Sequence, residues 1–301
     1  MPQLTPTLRP LGKTDIMVSQ LGWGMWRFAG DDIKQARNLI DSAFEAGINF
    51  FDTADIYGFD GTHGFGDAEA LLGRVFNDDK GLRGQMVLAS KGGIVPPTPY
   101  NSSKDYLVQA CEASLMRLKT DVIDLWQIHR PDLLAHPAEI AQAFDQLKTA
   151  GKVRAFGVSN YNVAQTRALQ AHLDFPLASY QPEYSVLAVE ALSDGTLDLA
   201  LETGASVLAW SPLGGGQIAK PEQDECANRV AIALDVVASH HNVSRTTIAY
   251  AWILAHPARP MPLVGTQNRD RILETRDVTK IELSREEWYK ILEASRGVPM
   301  P

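Results

Sequence analysis

Short apolar runs alternate with longer segments of helical periodicity along almost the whole chain. The short runs have the length of buried strands, and the longer segments place apolar residues three and four positions apart, as amphipathic helices do. The predicted strands are 18–22, 48–51, 86–90, 122–128, 153–158, 177–180, 206–209 and 262–264. The predicted helices are 32–46, 67–76, 104–118, 138–150, 163–171, 189–202, 222–240, 245–256, 269–275 and 285–295.

This alternation predicts an α/β fold in which eight strand–helix units form a (β/α)8 TIM barrel. Residues 8–18, with a turn at Lys13-Thr14-Asp15, predict an N-terminal β-hairpin before the barrel. Two helices exceed the barrel count, one after the seventh strand and one at the C-terminal end. No linker or low-complexity tract divides the 301 residues, so a single barrel domain over 1–301 is expected.

Composition and charge exclude several classes of protein. The net charge of −8 disfavours nucleic acid and anionic membrane as partners. No apolar run is long enough to span a bilayer, and residues 1–6 lack the apolar core of a signal peptide, so a cytoplasmic location is expected. The two cysteines, Cys111 and Cys226, form neither a disulfide framework nor a zinc-binding spacing, and no metal site is expected.

Ionisable side chains follow three successive predicted strands. Asp52 follows the second strand, Lys91 the third and His129 the fourth. Tyr57 lies five residues beyond Asp52. Because the carboxyl ends of parallel strands converge on one mouth of a barrel, we expect these four side chains to lie together. Any one alone is more often a solvated or satisfied polar residue, but their occurrence on consecutive strands favours a proton-transfer site.

These side-chain types suit the chemistry of a carbonyl group. A tyrosine phenol has a pKa of about 10, and the ammonium group of Lys91 is expected to lower the pKa of Tyr57. Asp52 would hold Lys91 in place, and His129 would hydrogen-bond a carbonyl oxygen and orient it. Tyr57 would then act as a general acid toward a carbonyl, or as a general base toward an alcohol.

Two longer motifs carry a resemblance to a known family. Residues 47–54 read Gly-Ile-Asn-Phe-Phe-Asp-Thr-Ala, and residues 151–160 read Gly-Lys-Val-Arg-Ala-Phe-Gly-Val-Ser-Asn. With Tyr57, these segments resemble signatures of the aldo-keto reductase superfamily, and the likeness extends over essentially the whole chain. Residues 129–132, His-Arg-Pro-Asp, resemble a bacterial branch of it. The resemblance implies the catalytic tetrad Asp52, Tyr57, Lys91 and His129, and reversible reduction of aldehydes or ketones to alcohols.

A carbonyl reductase needs a hydride donor, so a nicotinamide cofactor is implied. Residues 64–66, Gly-Phe-Gly, follow no predicted strand and do not make a Rossmann fingerprint. The resemblance implies instead a set of cofactor-binding residues around the barrel mouth. They are Gly24, Met25, Trp26, Asp52, Ser159, Asn160, Gln181, Trp210, Ser211, Pro212, Leu213, Gly214, Gly265, Thr266, Gln267, Arg271 and Glu274.

Within this set the resemblance assigns roles. Ser159, Asn160 and Gln181 would bind the carboxamide, and Trp210 would stack on the nicotinamide ring. The glycine-rich segment 211–216 would approach the pyrophosphate, and Arg271 would bind the 2′-phosphate of the adenosine ribose. Many members of the family carry a Lys where this chain has Gly265, which removes one positive charge. NADPH is still expected as the cofactor, with NADH less favoured.

The expected partner is a small-molecule carbonyl substrate bound by Tyr57, His129 and the aromatic residues Trp26 and Phe59, with Phe28 as a further wall. A different possibility is a nucleotide-binding regulatory subunit with slow turnover, since some relatives resemble auxiliary subunits of potassium channels. A third is another barrel enzyme, such as an isomerase. Steady turnover of free aldehyde would separate the first from the second, and failure to bind any nicotinamide nucleotide would favour the third. The oligomeric state is not predicted.

Overall fold

The protein is described from a computed structural model that covers residues 8–221 and 224–301. Residues 1–6, on which the expectation of no signal peptide rests, lie outside this range. So do the first two residues of the helix predicted at 222–240. Within the described part of the chain, none of the helices is long and apolar enough to cross a membrane.

Twelve strands are present in the described residues. They are β1 (Arg9–Pro10), β2 (Met17–Val18), β3 (Gly22–Gly24), β4 (Phe50–Asp52), β5 (Val87–Gly92), β6 (Ile94–Val95), β7 (Thr98–Tyr100), β8 (Ile123–Ile128), β9 (Val153–Ser159), β10 (Ser179–Gln181), β11 (Ser206–Ala209) and β12 (Met261–Val264). Eight of them, β3, β4, β5, β8, β9, β10, β11 and β12, form a closed barrel in which every neighbouring pair is parallel. The prediction of a (β/α)8 barrel is therefore confirmed.

Helices surround the barrel. They are α1 (Ile33–Glu45), α2 (Asp67–Asp78), α3 (Lys104–Leu118), α4 (Pro137–Thr149), α5 (Val163–Gln170), α6 (Thr196–Thr203), α7 (Glu225–His241), α8 (Arg245–Leu254), α9 (Arg269–Glu274) and α10 (Arg285–Arg296). Short 3-10 turns lie at Arg83–Gln85, Glu190–Leu192, Gly214–Ala219 and Thr275–Lys280. Side chains that cap the first turn set several starts, as Asn162 and Gln165 do at α5 and Ser284 and Glu287 at α10.

The N-terminal hairpin packs against the barrel interior. Strands β1 and β2 pair antiparallel, and Leu11, Ile16 and Val18 join one apolar cluster with the inward-facing residues of the barrel strands. Gly12 lies at a φ of +57°, and a Cβ atom there would be 2.5 Å from the carbonyl oxygen of Ala178. A residue with a side chain would therefore lift the hairpin off the barrel.

Two local predictions differ from the structure. The segment 189–202 does not form one helix, because Gly195 is left-handed at a φ of +86° and Asp194 Oδ1 accepts from the Thr196 N–H at 2.8 Å, which starts α6 anew. The first barrel strand begins at Gly22 rather than Val18, since Val18 belongs to the hairpin. The segment 93–101, which sequence analysis left without an element, contains the small hairpin of β6 and β7.

Candidate active site

The four residues of the predicted proton-transfer site lie at the carboxyl ends of adjacent barrel strands. Asp52 is the last residue of β4, Lys91 the fifth residue of β5, and His129 directly follows β8. Tyr57 lies in the loop after β4, where its N–H donates to the carbonyl of Ala54 at 3.1 Å. The structure therefore brings together the side chains that strand order alone placed at one mouth.

The ammonium group of Lys91 is the centre of this cluster. Its Nζ donates to Asp52 Oδ2 at 2.6 Å, to the Thr53 carbonyl at 2.9 Å and to Tyr57 Oη at 3.1 Å. The side chain of Lys91 is fully buried and that of Asp52 is 2 % exposed. All three protons of the ammonium are therefore engaged, and one of them points at the phenol oxygen.

The second oxygen of Asp52 is held by two glutamine side chains. Asp52 Oδ1 accepts from Gln127 Nε2 at 3.3 Å and from Gln181 Nε2 at 3.1 Å. Gln127 in turn accepts from Ser179 Oγ at 3.1 Å. Sequence analysis did not single out Gln127, although an amide inside the apolar strand β8, two positions before His129, is a signal that could have found it.

Burial governs the protonation of Tyr57. Burial raises the pKa of Tyr57 above its ordinary value of 10.0, and the charge of Lys91 opposes the rise without reversing it. Lys91 therefore acts in the expected direction and lowers the pKa of Tyr57, but burial together with the charge of Asp52 raises this pKa by more. Burial also lowers the pKa of Lys91, but Asp52 and Tyr57 outweigh that effect and raise it.

His129 lies beside the phenol ring. The ring centroids of Tyr57 and His129 are 5.8 Å apart and the rings are inclined at 78°. Burial, the charge of Lys91 and that of Arg130 hold the pKa of His129 well below its ordinary value of 6.5. The imidazole is therefore neutral at physiological pH and has one N–H to donate.

These residues open into one large cavity of about 1230 Å³. The walls include many residues that the sequence resemblance assigned to cofactor and substrate. They are Gly24, Trp26, Asp52, Tyr57, His129, Ser159, Asn160, Gln181, Trp210, Ser211, Pro212, Leu213, Gly265, Thr266, Gln267, Arg271 and Glu274.

Three residues from the predicted set do not line this cavity. Met25 is completely buried in the core, because its N–H is bonded to the carbonyl of Asp52 and its side chain points inward. Gly214 does not line the cavity, whereas the next two residues, Gly215 and Gly216, do. Phe59 lines a separate cavity of about 280 Å³ with Phe65.

Phe28, expected as a further wall, is core as well. It is 1 % exposed and packs edge-on against Trp23 at a centroid distance of 5.6 Å. Of the three aromatic residues expected as substrate walls, Trp26 is the one that lines the cavity. It is 61 % exposed, and its ring meets that of Tyr57 edge-on at 5.3 Å.

A hydrogen-bonded chain aligns the residues after β9 and β11. Trp210 Nε1 donates to Asn160 Oδ1 at 3.0 Å, and Asn160 Nδ2 donates to the His129 carbonyl at 3.0 Å. Ser159 Oγ donates to the Gln181 carbonyl at 3.0 Å. Asn160 has a φ of +60°, a conformation that asparagine tolerates better than most residues. The indole plane of Trp210 is thereby fixed relative to His129.

Sequence analysis assigned no cofactor or substrate role to four basic residues of the cavity wall. Arg27, Arg130, Lys220 and Arg245 all line the cavity. Arg245, whose Nε donates to Asp235 Oδ1 at 2.7 Å, also bonds the carbonyl of Ile218 at 3.1 Å. Arg27 and Arg130 each follow a residue that was singled out, so adjacency was an available signal. Lys220 and Arg245 come from the region after β11, whose placement strand order does not predict.

The residues present fit a nicotinamide dinucleotide. The same cavity joins the Tyr57–Lys91–Asp52 cluster to Arg271. Gln267, in its wall, has a buried Nε2 with no hydrogen-bond partner in the described residues, so a donor is available for a polar ligand. No cluster of three or more His, Cys, Asp or Glu side chains suited to a metal occurs in residues 8–221 and 224–301.

Comparison with known proteins decides the family. The model of the aldo/keto reductase family matches residues 20–296. The chain belongs to the aldo/keto reductase family. It is 52 % identical over 300 residues to a 6-dehydroglucose reductase of Novosphingobium aromaticivorans, covering 99 % of this chain and 98 % of that protein. A 6-dehydroglucose reductase of Agrobacterium fabrum is 34 % identical over 293 residues, covering 93 % and 95 %.

A solved aldo-keto reductase, crystallised with the inhibitor epalrestat, shares the fold. Its TM-score is 0.82 at 24 % identity, with 95 % of this chain and 99 % of that chain covered. Family membership supports an oxidoreductase that acts on carbonyl groups with a nicotinamide cofactor. It does not favour the regulatory-subunit alternative.

Proposed function

We propose that this aldo-keto reductase reduces an aldehyde to an alcohol with NADPH, and that Tyr57 is the general acid. The observation that carries the proposal is the contact of 3.1 Å between Lys91 Nζ and Tyr57 Oη, inside a cluster closed by Asp52. A phenol that is buried, protonated and bonded to an ammonium group at the mouth of a large cavity is equipped to release a proton on demand.

The proton would pass from Tyr57 Oη to the carbonyl oxygen of the substrate. Burial keeps the phenol protonated before the reaction, since it raises the pKa of Tyr57. The phenolate left behind is stabilised by Lys91, whose charge is held within 2.6 Å of Asp52. Solvent then returns a proton to Tyr57. The cofactor, when bound, supplies the hydride that the carbonyl carbon accepts.

His129 and Trp26 would position the substrate. The neutral imidazole of His129 donates a hydrogen bond to the carbonyl oxygen from the side of the Tyr57 ring, 5.8 Å away by centroid. Trp26, 61 % exposed, also packs edge-on against the Tyr57 ring, at a centroid distance of 5.3 Å. The carbonyl oxygen is thereby placed between two donors, and its approach is restricted by the indole.

The substrate class we propose is a polyhydroxylated aldehyde such as 6-dehydroglucose. The support is the name of two relatives, one of them 52 % identical over 99 % of this chain. The cavity that contains Tyr57 is also lined by the exposed indole of Trp26 and by Arg130. An indole face packs against the C–H surface of a sugar, and guanidinium groups bond its hydroxyls.

The test is turnover followed as loss of NADPH absorbance, with 6-dehydroglucose and with an activated aromatic aldehyde. Tyr57→Phe should lower kcat by about 10²–10⁴-fold for both aldehydes, because the general acid is lost. Tyr289→Phe, on an exposed tyrosine of α10, is the matched control and should retain the native rate.

Native-like turnover in Tyr57→Phe would remove Tyr57 from the role of acid. Turnover of the aromatic aldehyde with no preference for 6-dehydroglucose in kcat/KM would leave the reaction class intact and refute the sugar substrate.

A further inference from the structure

The segment after β12 begins with a residue that has no side chain. Gly265 lies in the cavity wall together with Thr266, Gln267 and Arg271. A Cβ atom built at Gly265 would have one heavy-atom neighbour within 4 Å, the Nη1 of Arg27 at 3.6 Å. The space that a side chain on residue 265 would enter is therefore open, except for a guanidinium group that comes from the loop after β3.

A tight turn brings Arg27 to this place. The Phe28 N–H donates to the Met25 carbonyl at 3.0 Å, so Trp26 and Arg27 occupy the two corner positions of the turn. Both ends are anchored, since Met25 and Phe28 are buried in the core. Of the two corner residues, Trp26 packs against the ring of Tyr57, and Arg27 extends to the space beside Gly265.

The distance between this turn and Gly265 is set by rigid elements. Strands β12 and β3 pair in parallel, with Val264 opposite Trp23. Trp23 Nε1 donates to the Thr266 carbonyl at 3.0 Å, which ties the segment after β12 to β3, the strand that leads into the turn with Arg27. The approach of Arg27 to Gly265 thus follows from the pairing of β12 with β3 and from the anchored turn between Met25 and Phe28.

The guanidinium of Arg27 is available for a ligand. Arg27 is exposed, and within residues 8–221 and 224–301 it makes no ion pair and no side-chain hydrogen bond, whereas Arg245 in the same wall is paired with Asp235. A phosphate monoester carries nearly two negative charges near pH 7, more than a diester group of a pyrophosphate, and therefore favours two cations. Arg27 and Arg271 are two such cations in one wall.

We propose that Arg27 binds the 2′-phosphate of NADPH together with Arg271, and so replaces the cation that Gly265 does not carry. This inference rests on the proposed use of NADPH. It makes Arg27 a residue that determines cofactor specificity, although it lies in the first strand-to-helix loop, more than two hundred residues before the segment that it completes.

Binding rather than turnover tests the inference. Quenching of tryptophan fluorescence, to which Trp210 in the wall contributes, would be titrated with NADPH, NADH, 2′,5′-ADP and 5′-ADP. In Arg27→Gln the Kd for NADPH and for 2′,5′-ADP should rise about tenfold or more, because a charge-assisted hydrogen bond is lost. The Kd for NADH and for 5′-ADP should change less than about twofold. Lys34→Gln, which removes one exposed charge seven residues away, should leave all four values unchanged.

A second variant tests whether the loss of NADPH affinity in Arg27→Gln comes from the missing cation rather than from a general disturbance of the binding site. The Cβ of a lysine at 265 would meet only Arg27 and at an ordinary van der Waals distance, so Gly265→Lys should be tolerated when Arg27 is shortened. The double variant Arg27→Gln/Gly265→Lys should recover most of the NADPH affinity, since a cation returns to the same space from the segment after β12.

The outcomes separate this inference from the proposed function. Equal loss of NADPH and NADH affinity in Arg27→Gln would assign Arg27 to the pyrophosphate and overturn the inference, and unchanged affinities would overturn it as well. A native protein that binds NADH but not NADPH or 2′,5′-ADP would overturn both the NADPH preference and the inference. A native protein that binds no dinucleotide would refute the proposed function itself.

Discussion

Asp55 is a buried carboxyl group without a partner, next to the catalytic cluster. It is 1 % exposed, and neither of its oxygens has a hydrogen-bond partner in the described residues. Its N–H donates to the Lys91 carbonyl at 3.0 Å, which holds it beside the strand that carries Lys91. Burial, reinforced by the charge of Glu69, raises the pKa of Asp55 well above 3.8, although Arg117, a weak contact from the Ile56 N–H that falls short of hydrogen-bond geometry, and Lys91 oppose the rise.

A raised carboxyl pKa makes the folded state less stable as the pH increases. The folded protein binds this proton more tightly than the unfolded chain, so the stability it confers is complete below pH 3.8 and is lost as the pH rises through the folded pKa. The slope in that window is about 1.4 kcal/mol per pH unit. With about 2.1 cal/mol/K of unfolding entropy per residue, 301 residues give roughly 0.6 kcal/mol/K, so the slope corresponds to about 2 °C in Tm per pH unit.

Asp55→Asn removes this ionisation, and the assay is the thermal midpoint of both proteins from pH 4 to pH 9. Relative to the native protein, the Tm of the variant should rise by about 2 °C per pH unit above pH 4 and level off beyond the folded pKa. Any constant offset reports the replacement of a carboxyl by an amide and does not affect the slope.

Asp60→Asn is the control for the Asp55 experiment. Asp60 is an exposed carboxylate whose pKa is lowered by hydrogen bonds from the backbone of His63 and Thr62. Its stabilising contribution is complete above pH 4, so the Tm difference of this variant should be flat over the same range. A flat difference for Asp55→Asn would refute the assignment of a buried, protonated carboxyl.

Two further predictions concern the catalytic cluster. Lys91→Met should abolish turnover and lower the stability by about 3–5 kcal/mol, or about 5–8 °C, because Asp52 is left charged and unpaired at 2 % exposure. The double variant Asp52→Asn/Lys91→Met should regain much of that Tm in calorimetry but no turnover, and an unchanged Tm in Lys91→Met would contradict this account. For His129, kcat/KM measured from pH 5.5 to pH 7.5 should show no acid limb near 6.5, because its pKa lies well below that value. An acid limb near 6.5 that disappears in His129→Asn would show that the imidazole titrates there.

Much of the fold could be predicted because periodicity is a local property. Eight apolar runs separated by amphipathic helices admit few architectures, and the closed parallel barrel is the one observed. Errors arose where local chemistry competes with periodicity, as at the left-handed Gly195, where the bond from the Thr196 N–H to Asp194 Oδ1 helps to divide a segment whose periodicity predicts one helix. The first strand was misplaced for a similar reason, since the apolar residue Val18 serves the hairpin instead.

For the candidate site, too, some features follow from the sequence and others only from the tertiary structure. The sequence by itself determined that Asp52, Lys91 and His129 end successive parallel strands, and parallel strands deliver their last residues to one mouth. Only the tertiary structure decided that burial outweighs Lys91 in setting the pKa of Tyr57, that Phe59 lies in another cavity, and that Arg27 fills the space beside Gly265. Desolvation, turn direction and the approach of Arg27 to the open space beside Gly265 depend on how the barrel closes, and a linear pattern of polar and apolar residues does not encode that closure.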